Sequence, residues 1–463
     1  MQEGTDIPGS SSFIEPSLIN ASMSEIRIDQ VELDEEDVGN TNASDENLLD
    51  HLTENPYYVF VLSETGRPIF MSSGMEDQWC GLFALIGVFV TRIEHFDDSL
   101  HTISDGEIHV YFCHKKPLIL CIVSRSEEQL DMQLNALFDQ ILSTLSRSQL
   151  ETVYHKRGDN YDLRRLLKGT DKYMESCVWS WREDVALLQS AIRVIPMQPS
   201  DRDFLSSTMA TQIAAAKLDG VLFGLVLAHR QVVTMVRYKK YTMHPRDIHI
   251  LINLVSGNTS LQLPEAQIWT PICLPKFNDT GFFYGYITYP WENNPACLVL
   301  LSVKRDHFEA LNEVKKKIVE KLEGNTKFFT NFQASLELPI PFEISKIGSS
   351  HELMWSFVYK NKSSRQICIS SAKVPVISKD ERREIKKLVD KMAHFCRNEK
   401  TLRCLYVKRK SDNVLLWATE KFNLQCVFSP FTGPQTATML IDRLLKTLKS
   451  HEQRYFIIHS TSF

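Results

Sequence analysis

Three times along the chain, two apolar runs flank a short polar turn. More short apolar runs and amphipathic helical stretches accompany each hairpin. That recurring order restricts the fold more than any other feature, because a hairpin turn and a 3.6-residue apolar stripe are legible without sequence identity between copies. The first instance pairs Tyr57–Val61 with Pro68–Met71 around SETGR, passes through a helix, and pairs Ile108–Cys113 with Leu118–Val123 around HKKP. It closes on a stripe of Leu130, Leu134, Leu137, Phe138, Ile141, Leu142 and Leu145. The second opens with a helix over 201–218, with Ser200 as N-cap and Gly220 as stop. A hairpin follows, VLFGLVLA with VVTMV, then a helix from Pro245 with Ile248, Leu251, Ile252 and Val255 on one side. Strands ICL, FFYGYITY and CLVLLSV precede a helix to Leu322, for which Asp306 and Glu309 are spaced as a capping box. The third has LMWSFVY and RQICIS around KNKSS, a helix over 379–396, strands at Leu402–Val407, Val414–Ala418 and Gln425–Phe428, and a helix striped from Ala437 to Leu448.

Mostly antiparallel strands with flanking helices make this an α/β chain of the α+β kind. Each unit is expected to bury one sheet face under helices and leave the other to water. Profilin-like and longin-like folds fit that description. The expected divisions are 56–155, 156–330 and 331–463. Residues 1–55, with the cluster ELDEED, have too little apolar surface to offset chain entropy and read as a disordered acidic arm.

Composition narrows the function. The formal charge of −5 does not suit a general nucleic-acid binder. No basic-then-apolar opening marks a secretory leader. Ten cysteines occur without a CxxC pair, mostly inside apolar runs, and read as buried thiols of a reducing compartment. His394, Cys396 and Cys404 are the nearest approach to a zinc set. No GxxxxGK[ST], GxSxG, HExxH or GxGxxG occurs, so a binding or regulatory protein is favoured over a hydrolase, and no cofactor or metal is expected.

The run Trp79–Val90 sharpens this. A membrane-spanning helix needs about 20 apolar residues, and this run has twelve, with Glu76, Asp77 and Arg92 close by. Trp79, Leu82, Phe83, Ile86, Val90 and Ile93 recur at helical spacing and can cover the first sheet. Gly81, Ala84, Leu85, Val88 and Phe89 fall largely on the other side, and they too are apolar. A surface helix normally turns a charged face to water. This helix therefore calls for a second cover, either from this chain or from a partner whose own helix approaches over Gly81 and Ala84. Basic clusters are RYKK (Arg237–Lys240), KKK (Lys315–Lys317) and KRK (Lys408–Lys410). Arg383, Lys386, Lys387 and Lys391 also share a helix face opposite an apolar stripe. They are either a solvated face or a site for an anionic membrane, with Lys239 and Lys240 beside Tyr238 as the rival surface.

Several segments resemble the Mon/SAND family of vacuolar fusion proteins: YYVFVLSETGRPIF, DNYDLRRLLKGT, HPRDIHILINLVSG and WTPICLPKFNDTGFFYGYITY. The resemblance runs from about Pro56 onward; EDQWCGLFALIGVFV departs from it at Trp79, where a small polar residue is more usual. It implies three tandem longin domains. It also implies an obligate heterodimer with a Ccz-type longin-domain protein, acting as a guanine-nucleotide exchange factor for a late-endosomal or lysosomal Rab GTPase in endosome maturation, fusion and autophagy. An early-endosomal Rab would be a recruiter, and a phosphoinositide membrane the working surface of a cytoplasmic, peripherally bound complex. On this reading Gly81, Ala84, Leu85 and Val88 meet the partner. Ser72, Ser73, Glu76 and Asp77 lie beside that face as candidate Rab contacts, with helix capping as their plain alternative. A longin scaffold or tether without exchange activity would show the same sequence features.

Overall fold

The three instances fold as three sheets. In a computed structural model, the described residues are 57–463 apart from 73–75, 107, 126–128, 158–161, 259–265, 338, 373–375, 377 and 399–402. The acidic arm expected over 1–55 lies outside them. The first sheet contains β1 (Tyr57–Ser63), β2 (Pro68–Met71), β3 (Thr102–Ser104), β4 (His109–Lys115) and β5 (Leu118–Ser124), antiparallel in the order β2-β1-β5-β4-β3. Helix α1 (Glu76–Glu94) follows the first hairpin; α2 (Leu130–Thr144), α3 (Arg147–Arg157), α4 (Asp171–Glu183) and α5 (Val185–Leu188) follow the sheet.

Both faces of this sheet are covered, contrary to the expectation of one bare face. Every residue of β1 and β5 is buried. The runs YYVFVLS and LILCIVS are apolar at successive positions, and successive strand side chains point to opposite faces. Leu134, Leu137 and Ile141 of α2 join Val59, Val61 and Leu120 on one side. Phe83, Ile86 and Val90 of α1 join Tyr58, Phe60 and Leu62 on the other. Leu163, Leu167, Met174, Cys177 and Trp181 also enter the first core, so residues 163–181 help to build the first unit. The Trp181 ring stands edge-on to Tyr57 at 6.1 Å.

A two-residue strand, β6 (Ile192–Arg193), leads to α6 (Pro199–Ala215). This helix starts before the expected cap at Ser200, because Pro199 has the φ of a first helical residue and lacks the amide that would go unpaired there. The second sheet then contains β7 (Val221–Ala228), β8 (Gln231–Arg237), β9 (Gln267–Leu274), β10 (Asn278–Thr288) and β11 (Cys297–Ser302), with α7 (Pro245–Ser256) inserted after the hairpin. Helices α8 (Phe308–Glu323) and α9 (Thr326–Glu337) close the unit. The expected capping box does not form. A 3-10 turn at Arg305–His307 precedes α8, and His307 Nδ1 lies 2.9 Å from Ser302 Oγ. The third sheet contains β12 (Met354–Asn361), β13 (Gln366–Ile369), β14 (Cys404–Lys408), β15 (Asn413–Ala418) and β16 (Phe422–Phe428). Helix α10 (Lys379–Asn398) follows its hairpin, and α11 (Pro434–Ser450), α12 (Glu452–Tyr455) and a last strand β17 (Thr461–Ser462) end the chain.

Two strands leave their own unit. β6 pairs in parallel with β13 at the edge of the third sheet, and β17 pairs in parallel with β8 at the edge of the second. Arg202 of α6 locks this exchange. Its side chain is 5% exposed. Nε donates to Val233 O at 3.3 Å, one terminal nitrogen to Gln453 O and Phe456 O, and the other to Ile195 O at 2.6 Å and Arg454 O at 3.1 Å. Burial lowers its pKa to about 10, which leaves it charged at neutral pH. Arg202→Leu strips five carbonyls of this donor. It should reduce stability by about 3 kcal/mol or more, and hydrogen exchange should accelerate first at the amides of residues 454–463.

The first and second units meet over α7. Arg246 and Lys276 bracket the buried Asp139 of α2 at 3.3 and 3.1 Å, and Asn253 donates to Gln140 at 3.0 Å. Asp247 is fully buried there, accepting from Lys276 N at 3.0 Å. Burial, then the neighbouring Asp139, push its pKa up to about 7, while Lys276 opposes them. A raised carboxyl pKa favours the folded state at acid pH, and that contribution is lost as pH climbs from the unfolded value through about 7. Asn imitates the protonated acid at every pH. Asp247→Asn should therefore raise the unfolding free energy by about 2 kcal/mol near about pH 8 and by much less near about pH 5, in parallel denaturant titrations.

Candidate functional site

Helix α1 is seated on the β1–β2 turn by two glycines. Gly66 has φ +75°, a conformation most side chains avoid, and a Cβ there would sit 2.6 Å from Phe83 O. A Cβ on Gly87 would lie 3.1 Å from Gly66 N and 3.3 Å from Glu64 O. This close approach turns Phe83, Ile86 and Val90 into the core, where Phe83 meets Phe60 edge-on at 5.1 Å. The opposite face is bare. Gly81 and Ala84 are exposed, a Cβ on Gly81 would touch nothing within 4 Å, and Leu85, Val88 and Phe89 are exposed by 49, 64 and 44%. Leu82, expected to cover the sheet, is 39% exposed and belongs partly to the outer face. The side chain of Trp79 lies outside the described residues.

The same helix position in the other two units shows what is unusual here. Helix α7 is buried on both sides, with one against its own sheet and the other against α2 and α4. Helix α10 buries Ile385, Leu388, Val389 and Met392, and apart from the exposed Phe395 its outer face is mostly charged. Only α1 among the three presents an apolar outer face that the described residues leave uncovered.

At the far end of α1 is a cluster with no signature in sequence. His114 Nδ1 lies 2.5 Å from Glu94 Oε1, its Nε2 3.4 Å from Glu64 Oε1, and Lys116 Nζ 3.3 Å from Glu94 Oε2; the Tyr154 hydroxyl donates to Glu64. The imidazole ties the end of α1 to the hairpin turn. Its two nitrogens face different carboxylates, and the described residues contain no cluster arranged to hold a metal ion.

Ser72 is already engaged: its Oγ accepts from Val59 N at 3.0 Å and its amide donates to Val59 O at 3.0 Å. It acts as a hairpin residue. Ser73 lies outside the described residues. Glu76 and Asp77 form the first turn of α1, and their side chains lie outside the description.

Of the cations expected to project together from α10, Lys386 does not. Lys386 is half-buried with Nζ 3.4 Å from the Tyr57 hydroxyl of the first unit, and Asp390 on the next turn accepts from Gln129 at 2.7 Å. Helix α10 packs against the first unit as well as its own sheet, and that neighbour was invisible to a helical wheel. Lys387 pairs with Glu384 at 2.9 Å, Lys391 is exposed, and the side chain of Arg383 lies outside the description. Lys239 and Lys240 are exposed on the turn after β8, where Arg237 bonds Lys239 O, Tyr241 O and Ser460 Oγ. No described helix is long and apolar enough to cross a membrane.

Three tandem longin domains account for this architecture. The chain matches models of the first, second and third longin domains of FUZ, MON1 and HPS1 over residues 57–177, 219–320 and 353–452. It is 30% identical over 405 residues to vacuolar fusion protein MON1 homolog A of Gallus gallus, covering 87% of this chain and 72% of that protein. Protein SAND of Takifugu rubripes is 32% identical over 412 residues, 88% of this chain and 77% of its own. Vacuolar fusion protein MON1 of Cryptococcus neoformans is 30% identical over 430 residues, 89% and 67%. The chain belongs to the MON1/SAND family of vacuolar fusion proteins.

If the outer face of α1 touches nothing within this chain, enlarging it leaves the fold intact. Ala84→Trp should change the unfolding free energy of the isolated chain by less than about 0.5 kcal/mol, measured by denaturant titration.

Proposed function

We propose that this chain is one subunit of a heterodimeric guanine-nucleotide exchange factor for a late-endosomal or lysosomal Rab GTPase. Its partner is a Ccz-type longin-domain protein, docked on the outer face of α1 through Gly81, Ala84, Leu85 and Val88. The observation that supports this is the bare apolar face on α1, set against the covered α7 and the charged α10 of the same chain. Covering it gains roughly 25 cal/mol for each Å² of apolar area removed from water. The small residues at 81 and 84 let a second helix come close.

Exchange of this kind breaks no covalent bond. A surface that binds the nucleotide-free, opened GTPase more tightly than the loaded one weakens nucleotide binding by the same coupling free energy. On this reading Glu76 and Asp77, in the first turn of α1, attract a switch-region lysine. An early-endosomal Rab as recruiter and a phosphoinositide membrane as working surface complete the reading. A longin scaffold or tether without exchange activity is separated from it by one assay, release of labelled GDP across a Rab panel by the purified heterodimer.

With wild type, release should accelerate for a late-endosomal Rab. Ala84→Trp should abolish co-purification of the partner and exchange together. Glu76→Gln with Asp77→Asn should slow exchange several-fold while the heterodimer stays intact. Partner binding without acceleration on any Rab would establish the scaffold reading instead.

A further inference from the structure

Phe431 is the most exposed large apolar side chain among the described residues, at 91%. It stands on the 429–433 loop between β16 and α11. That loop is held firmly. The buried Asn413 donates to the carbonyls of Ser429, Pro430 and Thr432 at 3.1, 3.2 and 3.0 Å. The Tyr406 hydroxyl donates to Thr432 O at 2.6 Å, and Ser429 N to Leu353 O at 2.8 Å. The ring is thus presented to water by a built frame.

Strand register places cations at the same end of the sheet. Lys408 lies opposite Asn413, and Asn413 opposite Phe428, so the KRK turn is adjacent to the Phe431 loop. Arg409 is engaged by Asp412, with Nε 2.8 Å from Oδ1. Lys408 and Lys410 are exposed. Glu352, exposed on the neighbouring 351–353 turn, offsets part of their charge, so binding has to draw on the ring as well.

The size of the apolar feature selects the partner. A stable protein interface buries on the order of 800 Å² per side, whereas one phenylalanine offers roughly 200 Å². Ser429 and Thr432 are buried, Gln435 is exposed and polar, and the half-buried Pro430 and Pro434 add only small apolar flanks to the ring. One projecting ring beside a pair of ammonium groups suits the boundary of lipid headgroups and acyl chains, where binding needs an apolar and an electrostatic contribution together. We propose that this end of the third sheet inserts Phe431 into an anionic lipid bilayer, with Lys408 and Lys410 over the lipid phosphates. The inference deepens the membrane-surface part of the proposed function. Its readout contains no GTPase, so its failure and the failure of exchange are distinguishable.

The test is flotation of the full chain with phosphatidylcholine vesicles, with and without phosphatidylserine. The wild type should float only with phosphatidylserine and less at raised salt. Phe431→Ser should weaken binding about tenfold, and Lys408→Ala with Lys410→Ala about twentyfold, each with an unchanged thermal midpoint. Phe431→Trp should bind, and lipids brominated in the upper acyl chain should quench its added emission. The proposal is overturned if the wild type does not float, if both sets of substitutions float like wild type, or if bromolipids quench Phe431→Trp no more than wild type. It is also overturned if Phe431→Ser floats normally but loses its longin-domain partner, which would make the ring a protein contact.

Discussion

A single guanidinium holds the middle of this molecule to its end. Arg202 donates to five main-chain carbonyls drawn from the linker, a strand of the second sheet and the segment after the last long helix. These acceptors are partial charges fixed in direction by the backbone, so the contact is satisfied in one geometry. Around it, Gln366 of the third unit pairs with both the amide and the carbonyl of Ile457, at 2.8 and 2.7 Å. Val194 bridges to Val232 just after β6 has paired with β13. The second and third domains share strands, and an account of either alone would leave an edge unpaired.

The first domain is joined differently. Its contacts with the second are side-chain ion pairs and amide networks around Asp139, Gln140 and Asn253, and its contacts with the third run through Gln129 and Tyr57. Its own helices α1 and α2 bury its sheet from both sides, and the outer face of α1 stays bare among the described residues. Helix α7 shows, within the same chain, what such a face looks like once covered. The contrast supports a partner at α1 better than apolar composition alone.

How much of this was legible depended on the range of the interaction. The hairpins, the stripes of α2, α7 and α11 and the double face of α1 are local periodicities, and they appear where the spacing places them. Burial on both sides of β1 and β5 was also written in the runs YYVFVLS and LILCIVS, whose lack of alternation should have excluded a bare face. Helix α4 had its own signal in Met174, Cys177, Val178 and Trp181, spaced for one face. Strands β6 and β17 had none: two residues carry no period, and their partners lie far away in sequence. The environment of Lys386 was illegible for the same reason, since a helical wheel shows which face is polar and not which domain stands opposite it. The surroundings of the α10 cations therefore changed most between sequence and structure, while the apolar outer face of α1 changed least.

The exchanged strand β17 also imposes an order in time. β8 emerges from the ribosome more than two hundred residues before Thr461 and Ser462, the residues that pair with it. Until they arrive, the edge of the second sheet at Val236 and Arg237 lacks its final neighbour. The domain in the middle of the chain is thus the last to be finished, after the third has already been made. During synthesis its exposed edge is the place where a nascent chain of this family is most open to pairing with the wrong strand or to capture by a chaperone.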